Sequence, residues 1–236
     1  MSSPRETTQN LIIASLPPPD QERLRPHLQE IELVHGTILF EQDDPIEHMY
    51  FPTRGMISVV TTTPSGQTAE VGVIGREGIG GIEGILEGGG TALNRQMVQL
   101  PGLGLKIKAA VMKEEFDRGG AFQKAALSFT RGMMAQMGQT ALCNRLHTAE
   151  QRLSKWLLMC HDRASDDVLG ITQEFAAIML GSNRTSVTIA AGNLQDKGFI
   201  EYSRGRIKMI NRKGLEKFSC ECYERIRAES HPPTAG

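Results

Sequence analysis

Arg184, Thr185 and Thr188 fall within five residues at a spacing that gathers them on one side of a helix. An arginine can take guanine O6 and N7 in bidentate fashion, and a threonine offers a hydroxyl, or its methyl to thymine. Further on, Arg204, Arg206 and Lys208 surround the turn Ser203-Arg204-Gly205-Arg206. Charges clustered at a turn suit phosphate oxygens. The chemistry within reach is recognition of a polyanion, with one group reading base edges and the other holding the backbone.

Such side chains need a frame. Thr172 is placed to cap a helix that opens Gln173-Glu174, and the acidic charge suits a helix N-terminus. Phe175, Ala176, Met179 and Leu180 give that helix an apolar face. Gly181 supplies the left-handed turn that ends it. Ser182 or Asn183 caps a second helix, in which Val187, Ala190, Ala191 and Leu194 occupy i, i+3, i+4 and i+7. Arg184, Thr185 and Thr188 then point away from the buried stripe, near the N-terminal end. A helix-turn-helix places its base-reading residues there. Lys197-Gly198-Phe199-Ile200 turns the chain into a strand, and Ile200, Tyr202, Ile207 and Met209 flank the basic turn as a hairpin, or wing. The predicted partner is double-stranded DNA, met through Thr172, Ser182, Asn183, Arg184, Thr185, Thr188, Arg204, Arg206 and Lys208.

Charge follows the same division. The net charge of −1 hides a segment from Asp20 to Gly90 with twelve acidic and four basic residues, and one from Thr172 to Lys217 with four acidic and eight basic. Only the second half is suited to a polyanion. At 39% hydrophobic and 22% charged, the chain can pack a core. No apolar run approaches the ~20 residues of a spanning helix. Met1 to Asn10 is polar and lacks the apolar stretch of a signal peptide. A cytoplasmic location is expected, with no membrane partner. The cysteines, Cys143, Cys160, Cys220 and Cys222, read as free thiols in a reducing compartment. Cys220-x-Cys222 alone is too small to make a metal site, and the six histidines show no ligand spacing.

Before the helical part, short apolar runs alternate with turn residues: Ile31–Val34, Ile38–Phe40, His48–Phe51, Ile57–Thr62, Ala69–Ile74, Met97–Leu100 and Leu103–Ile107. Strands this short and regular predict a β-roll or barrel. Short helical pieces are expected around Pro17-Pro18-Pro19, and another helix over Lys108–Asp117. From Ala121 to about His147 the chain has no proline, and Phe122, Ala126, Phe129, Met133, Gln136, Thr140, Cys143 and His147 recur every three or four residues. A helix of that length, on the order of 40 Å, calls for something to pack against. A second copy of the chain is the economical candidate, and a core helix of the same domain the alternative. A further helix runs from about Ala149 to His161. The expected fold class is α+β: a β-roll sensor domain over 1–120, a dimerisation helix over 121–147, and a winged helix-turn-helix domain over 148–236.

The order of parts resembles the family of the cyclic-AMP receptor protein and the fumarate-nitrate regulator, from about Leu11 to Leu215. The resemblance is carried by Ile171-Thr-Gln-Glu-Phe-Ala-Ala-Ile-Met-Leu-Gly-Ser-Asn-Arg-Thr-Ser-Val-Thr, by Leu194-Gln-Asp-Lys-Gly-Phe-Ile, and by Gln151-Arg-Leu-Ser-Lys-Trp-Leu-Leu. It implies a homodimer on a two-fold operator with half-sites ~34 Å apart, coupled to an effector in the roll and to RNA polymerase. Arg184 matches the first arginine of the family's recognition helix. Thr185 stands where better-known members have glutamate, and Ile189 where they have a second arginine. Cyclic nucleotide would be held through Glu77, Gly78 and Arg95, although Gln96 rather than Ser or Thr follows the arginine. With no cysteine before Cys143, the iron–sulfur cluster of the second named branch is not expected. His35 and His48 are the histidines of the strand region that haem would need, and each is more simply structural.

An enzyme reading finds no support. Gly78-Ile-Gly80-Gly81-Ile-Glu83 lacks the third glycine of a dinucleotide fingerprint, and there is no Gly-x-Ser-x-Gly, phosphate loop or His-Glu-x-x-His. The rival reading is a cyclic-nucleotide-binding signalling module whose C-terminal domain contacts protein rather than DNA.

Overall fold

The computed structural model describes residues 9–86 and 90–230. The N-terminal segment up to residue 8, read above as polar, and the outer ends of the first and last domains lie outside the described residues. Two short helices, α1 (Leu11–Ala14) and α2 (Pro18–Leu24), and a 3-10 turn at Arg25–His27 lead into the strands. Five of these, β1 (Gln29–Leu33), β2 (Ile38–Phe40), β3 (His48–Thr62), β4 (Thr68–Ile74) and β5 (Arg95–Lys108), form one antiparallel sheet in the order β1-β5-β3-β4, with β2 also on β5. A short helix, α3 (Glu83–Leu86), sits in the Gly-rich loop before β5.

Two expected pairs of strands are single long ones. His48–Phe51 and Ile57–Thr62 are both in β3, and Met97–Leu100 and Leu103–Ile107 are both in β5. Arg54-Gly55 reads as a turn in sequence, yet the ladder runs through it with register shifts between Pro52 and Ile57. Gly55 has φ +88°, and a Cβ there would stand 2.6 Å from the Leu100 carbonyl oxygen. The glycine is therefore a bulge that bends two paired strands, not a connection between them.

After β5 come α4 (Ala109–Asp117) and the long α5 (Ala121–Leu146). Phe122, Ala126, Met133, Gln136 and Cys143, the periodic residues expected to seek a partner, are buried within the chain itself. Gln136 accepts from the Val73 amide at 2.6 Å and donates to the Val73 carbonyl at 3.2 Å. It thereby pairs backbone groups of β4, the outer strand of the sheet. A different line of α5 is exposed: Leu127, Met134, Leu142 and Leu146.

The C-terminal part consists of α6 (Ala149–His161), β6 (Val168–Leu169), α7 (Gln173–Met179), α8 (Arg184–Asp196), β7 (Ile200–Ser203), β8 (Arg206–Met209), α9 (Arg212–Phe218) and α10 (Cys222–Glu229). Segment 163–170, which reads as a polar link in sequence, contributes β6, and β6 joins β8 to make the wing three-stranded. The hydrophobic core does not divide at the passage from α5 to α6. Met56, Val60, Val73 and Leu100 of the roll share one cluster with Trp156, Leu157, Met179 and Leu194.

Candidate nucleic-acid interface

Each end of the helix-turn-helix is held by a side chain that the sequence places there. The Thr172 hydroxyl accepts from the Phe175 amide at 3.1 Å and starts α7. Gly181 adopts φ +54°, and the Ser182 amide bonds back to the Ala177 carbonyl at 2.9 Å, closing the turn that ends α7. Of the two candidate caps, Asn183 is the one used, accepting from the Ser186 amide at 2.8 Å. Val187, Ala190, Ala191 and Leu194 are buried, so α8 has one orientation available to it.

That orientation leaves Arg184, Thr185, Thr188 and Ile189 exposed. Ile189 is 58% exposed, a large apolar side chain at the position where the resemblance implies a second arginine. Thr188 is partly engaged, since its hydroxyl lies 2.7 Å from Gln173 Oε1 and 2.9 Å from the Arg184 carbonyl. Ser182 is half-buried behind the turn and Asn183 is exposed.

The wing stands beside this helix. Arg204, Arg206 and Lys208 are exposed, and Arg204 has φ +47° at the tip. A Cβ at Gly205 would lie 3.3 Å from Thr172 Cγ2, so the wing tip touches the start of α7. Gln195 at the end of α8 accepts from the Tyr202 amide at 2.8 Å, and Asn193 donates to Glu150 at 2.8 Å, fixing α8 to the wing and to α6. Gln173, Gln195 and Asn193 were not singled out from the sequence, where a lone amide on a polar face carries no signal.

Among the described residues Arg184, Arg204, Arg206 and Lys208 make no ion pair. Two other cations of the basic segment have partners. Arg212 pairs with Asp162 at 2.5 Å and Glu216 at 3.0 Å, and Lys197 lies over the Phe218 ring. Four cations of this segment without an ion pair thus stand on α8 and the wing, and Lys213 and Lys217 on α9 are two more.

The residues expected at an effector site are not gathered. Glu77 pairs with Arg163, just past the end of α6, at 2.6 Å. Gly78 packs so closely that a Cβ would stand 2.5 Å from the Phe129 ring. Arg95 pairs with Glu41 at 2.7 Å. Burial works against the Arg163 charge, but Glu77 outweighs it and raises the Arg163 pKa above its ordinary value. The position after Arg95 closes the Gly-rich loop from within: buried Gln96 accepts from the Gly81 amide at 3.1 Å and donates to Glu83 at 3.3 Å. Burial raises the Glu83 pKa. Side chains that would cradle a cyclic phosphate are turned to neighbours within the chain, and a half-buried carboxyl stands in the loop. These residues do not fit a cyclic nucleotide held in the manner that the resemblance implies.

A cleft of about 380 Å³ opens between the roll and the C-terminal part, lined among others by Arg54, Glu77, Arg163, Asp162 and Tyr223.

Two family models match the chain. Segment 30–100 matches the cyclic nucleotide-binding domain, and segment 151–218 the Crp-like helix-turn-helix domain. The chain belongs to the Crp/Fnr family. Comparison with curated proteins finds no match. Solved structures share the fold. FixK2 from Bradyrhizobium japonicum superposes with a TM-score of 0.68 at 16% identity, over 82% of this chain and 98% of its own. CLP from Xanthomonas campestris, a regulator responsive to c-di-GMP, gives 0.64 at 15% identity over 81% and 98%. A CooA mutant from Carboxydothermus hydrogenoformans gives 0.62 at 13% identity over 90% and 96%. As a Crp/Fnr protein the chain is a DNA-binding transcription regulator with a cyclic-nucleotide-binding-like sensor domain. Among the described residues no helix is long and apolar enough to cross a membrane.

Proposed function

We propose that this Crp/Fnr regulator works in the cytoplasm as a homodimer, without enzymatic activity, and reads a two-fold operator through Arg184, Thr185 and Ile189 in the major groove. The single observation that carries the reading is the group of cations without ion pairs on the exposed start of α8 and on the wing beside it. Arg184 takes a guanine, and Ile189 packs on a thymine methyl in place of a charged contact. Arg204, Arg206 and Lys208 hold phosphates and fix the register. Thr172, Ser182 and Asn183 act mainly by building the turn. The dimer forms along the exposed line Leu127, Met134, Leu142 and Leu146 of α5. Operator-bound dimers meet RNA polymerase. The roll carries its signal by a route other than a cyclic phosphate clasped by Glu77 and Arg95, because both side chains are already paired.

Affinity selection of fragmented host DNA by the purified protein, with and without cyclic AMP, tests this. A two-fold motif enriched equally in both arms is expected. Enrichment only with the nucleotide would restore a cyclic-AMP receptor mechanism. No motif in either arm, with binding insensitive to salt, would favour the C-terminal domain as a protein-contact module, since phosphate neutralisation makes DNA affinity fall steeply with salt.

A further inference from the structure

We propose that Cys143, His147, Cys220 and Cys222 form a Zn²⁺ site that pins the end of α5 to the start of α10. In sequence the cysteines read as free thiols, because Cys220 and Cys222 alone cannot make a site. The fold supplies the other half. Among the described residues this is the one cluster of metal-ligating side chains, and its four ligand atoms all lie within 4.8 Å of one another.

The two shortest cross-pairs have the spacing of a tetrahedron around a single ion. Zinc–sulfur bonds of about 2.3 Å and zinc–nitrogen bonds of about 2.0–2.1 Å set sulfurs about 3.8 Å apart and a sulfur about 3.6 Å from a nitrogen. Cys143 Sγ and Cys220 Sγ stand 3.6 Å apart, and Cys222 Sγ is 3.4 Å from His147 Nδ1. A multi-iron cluster, with several irons and sulfides between its ligands, holds its thiolates farther apart. All three cysteines are buried, so the ligand set excludes water, as a structural site does.

The surroundings add an independent argument. While His147 Nδ1 faces Cys222, its Nε2 faces Glu221 Oε1 at 3.3 Å. A ligating histidine characteristically turns its second nitrogen to a carboxylate, which fixes the tautomer and strengthens the ligand. Gln139 donates to Cys222 Sγ at 3.1 Å, a bond that favours an anionic sulfur. Binding would displace the three thiol protons to solvent, leave the imidazole neutral, and give a centre of net charge −1 with no change of oxidation state.

Position gives the site its consequence. Cys143 and His147 are one helical turn apart at the end of α5, and the DNA-binding part leaves the chain just beyond, at α6. Cys220 and Cys222 return at its far end, 77 residues on from Cys143 in the case of Cys220. The ion would give the DNA-binding part a second attachment to α5, independently of which operator it reads.

The full chain, purified anaerobically without chelators, should carry one Zn²⁺ by elemental analysis. Co²⁺ added to the stripped chain should give the near-ultraviolet thiolate charge-transfer band and visible spectrum of a tetrahedral site. Cys222→Ser should abolish that spectrum, whereas Cys160→Ser, a buried cysteine outside the cluster, should keep it. Glu221→Gln, which touches no metal, should weaken Zn²⁺ about 10- to 100-fold in competition with a chelator. Four freely titrating thiols with no Co²⁺ band in the unmodified chain would overturn the proposal. So would a Co²⁺ spectrum indifferent to Cys222→Ser, or a Cys143–Cys220 disulfide in protein handled anaerobically.

Discussion

Glu70 shows what a single buried carboxyl can do where the roll meets the DNA-binding part. It lies on β4, accepts from the Trp156 indole at 2.9 Å, and sits 2.5 Å from the Ser58 hydroxyl. Ser58 also contacts Gln99 Oε1, and one hydroxyl proton cannot serve both oxygens. A protonated Glu70 supplies the missing donor. Burial pushes its pKa from 4.5 up to about 7, although the Ser58 and Trp156 bonds pull the other way. The folded pKa thus exceeds the unfolded one, and folding takes up a proton between them. Stability from this group is complete below about pH 4.5, declines on the order of 3 kcal/mol in all as pH rises to about 7, and is flat above. Urea unfolding across that window, followed by the fluorescence of the chain's one tryptophan, should show the decline, and Glu70→Gln should remove it. An unchanged slope in the variant would place the proton elsewhere. At the interface, Arg184→Ala should cost about 1–3 kcal/mol of discrimination between operator and mutated half-sites. Arg204→Ala should weaken all DNA alike and lower the salt slope by about one. Equal losses on operator and random duplex for Arg184→Ala would remove it from base reading.

Elements were legible where one local rule decided them. Thr172, Gly181 and Asn183 each announce a helix end by residue type, and the structure uses all three as caps or turn. Asn183→Ala should therefore cost about 1 kcal/mol, measured as loss of the denaturation midpoint. The stripe of α5 was legible as buried but not as to what buries it, since periodicity records a face and not its neighbour. Phe122, Met133 and Cys143 meet the chain's own roll and α10, while Leu127, Met134 and Leu142 remain exposed. Leu127→Asp with Met134→Asp should turn the proposed dimer into a monomer in sedimentation and abolish cooperative operator binding. A dimer that survives both would move the interface off α5. Long-range pairing was not legible. Arg54-Gly55 has the composition of a turn, and only the partner strand makes it a bulge. Val168-Leu169 is too short to announce itself before β8 is in place. Glu77 and Arg95 matched a family pattern by residue type, but Arg163 and Glu41, distant in sequence, set their surroundings.

The whole molecule behaves as its core dictates. Sequence texture changes sharply between strands and helices, which suggests separable domains, yet Met56, Val60, Val73 and Leu100 pack with residues of α6, α7 and α8. Apolar surface shared in this way ties one side of the roll to the core of the C-terminal part. Loss of the winged helix would bare those roll residues to water at roughly 25 cal/mol for each Å². The two parts should therefore unfold in one transition. Far-ultraviolet circular dichroism, which weights the helices, and Trp156 fluorescence, which reports the junction, should give coincident curves. Within that junction Arg163 and Glu77 form a buried pair, with side chains 8% and 14% exposed. Removing one partner of such a pair leaves a charge in a poorly solvated place and costs about 3–5 kcal/mol. Glu77→Ala should accordingly lower the common transition by that amount, whereas Arg95→Ala, which breaks the more exposed pair with Glu41, should lower it by less than about 1 kcal/mol. Were Glu77→Ala instead to split the curves, with Trp156 responding before the helices, the pair would be the latch that makes one cooperative unit out of two. Equal small effects from both variants would show that the apolar core alone joins them.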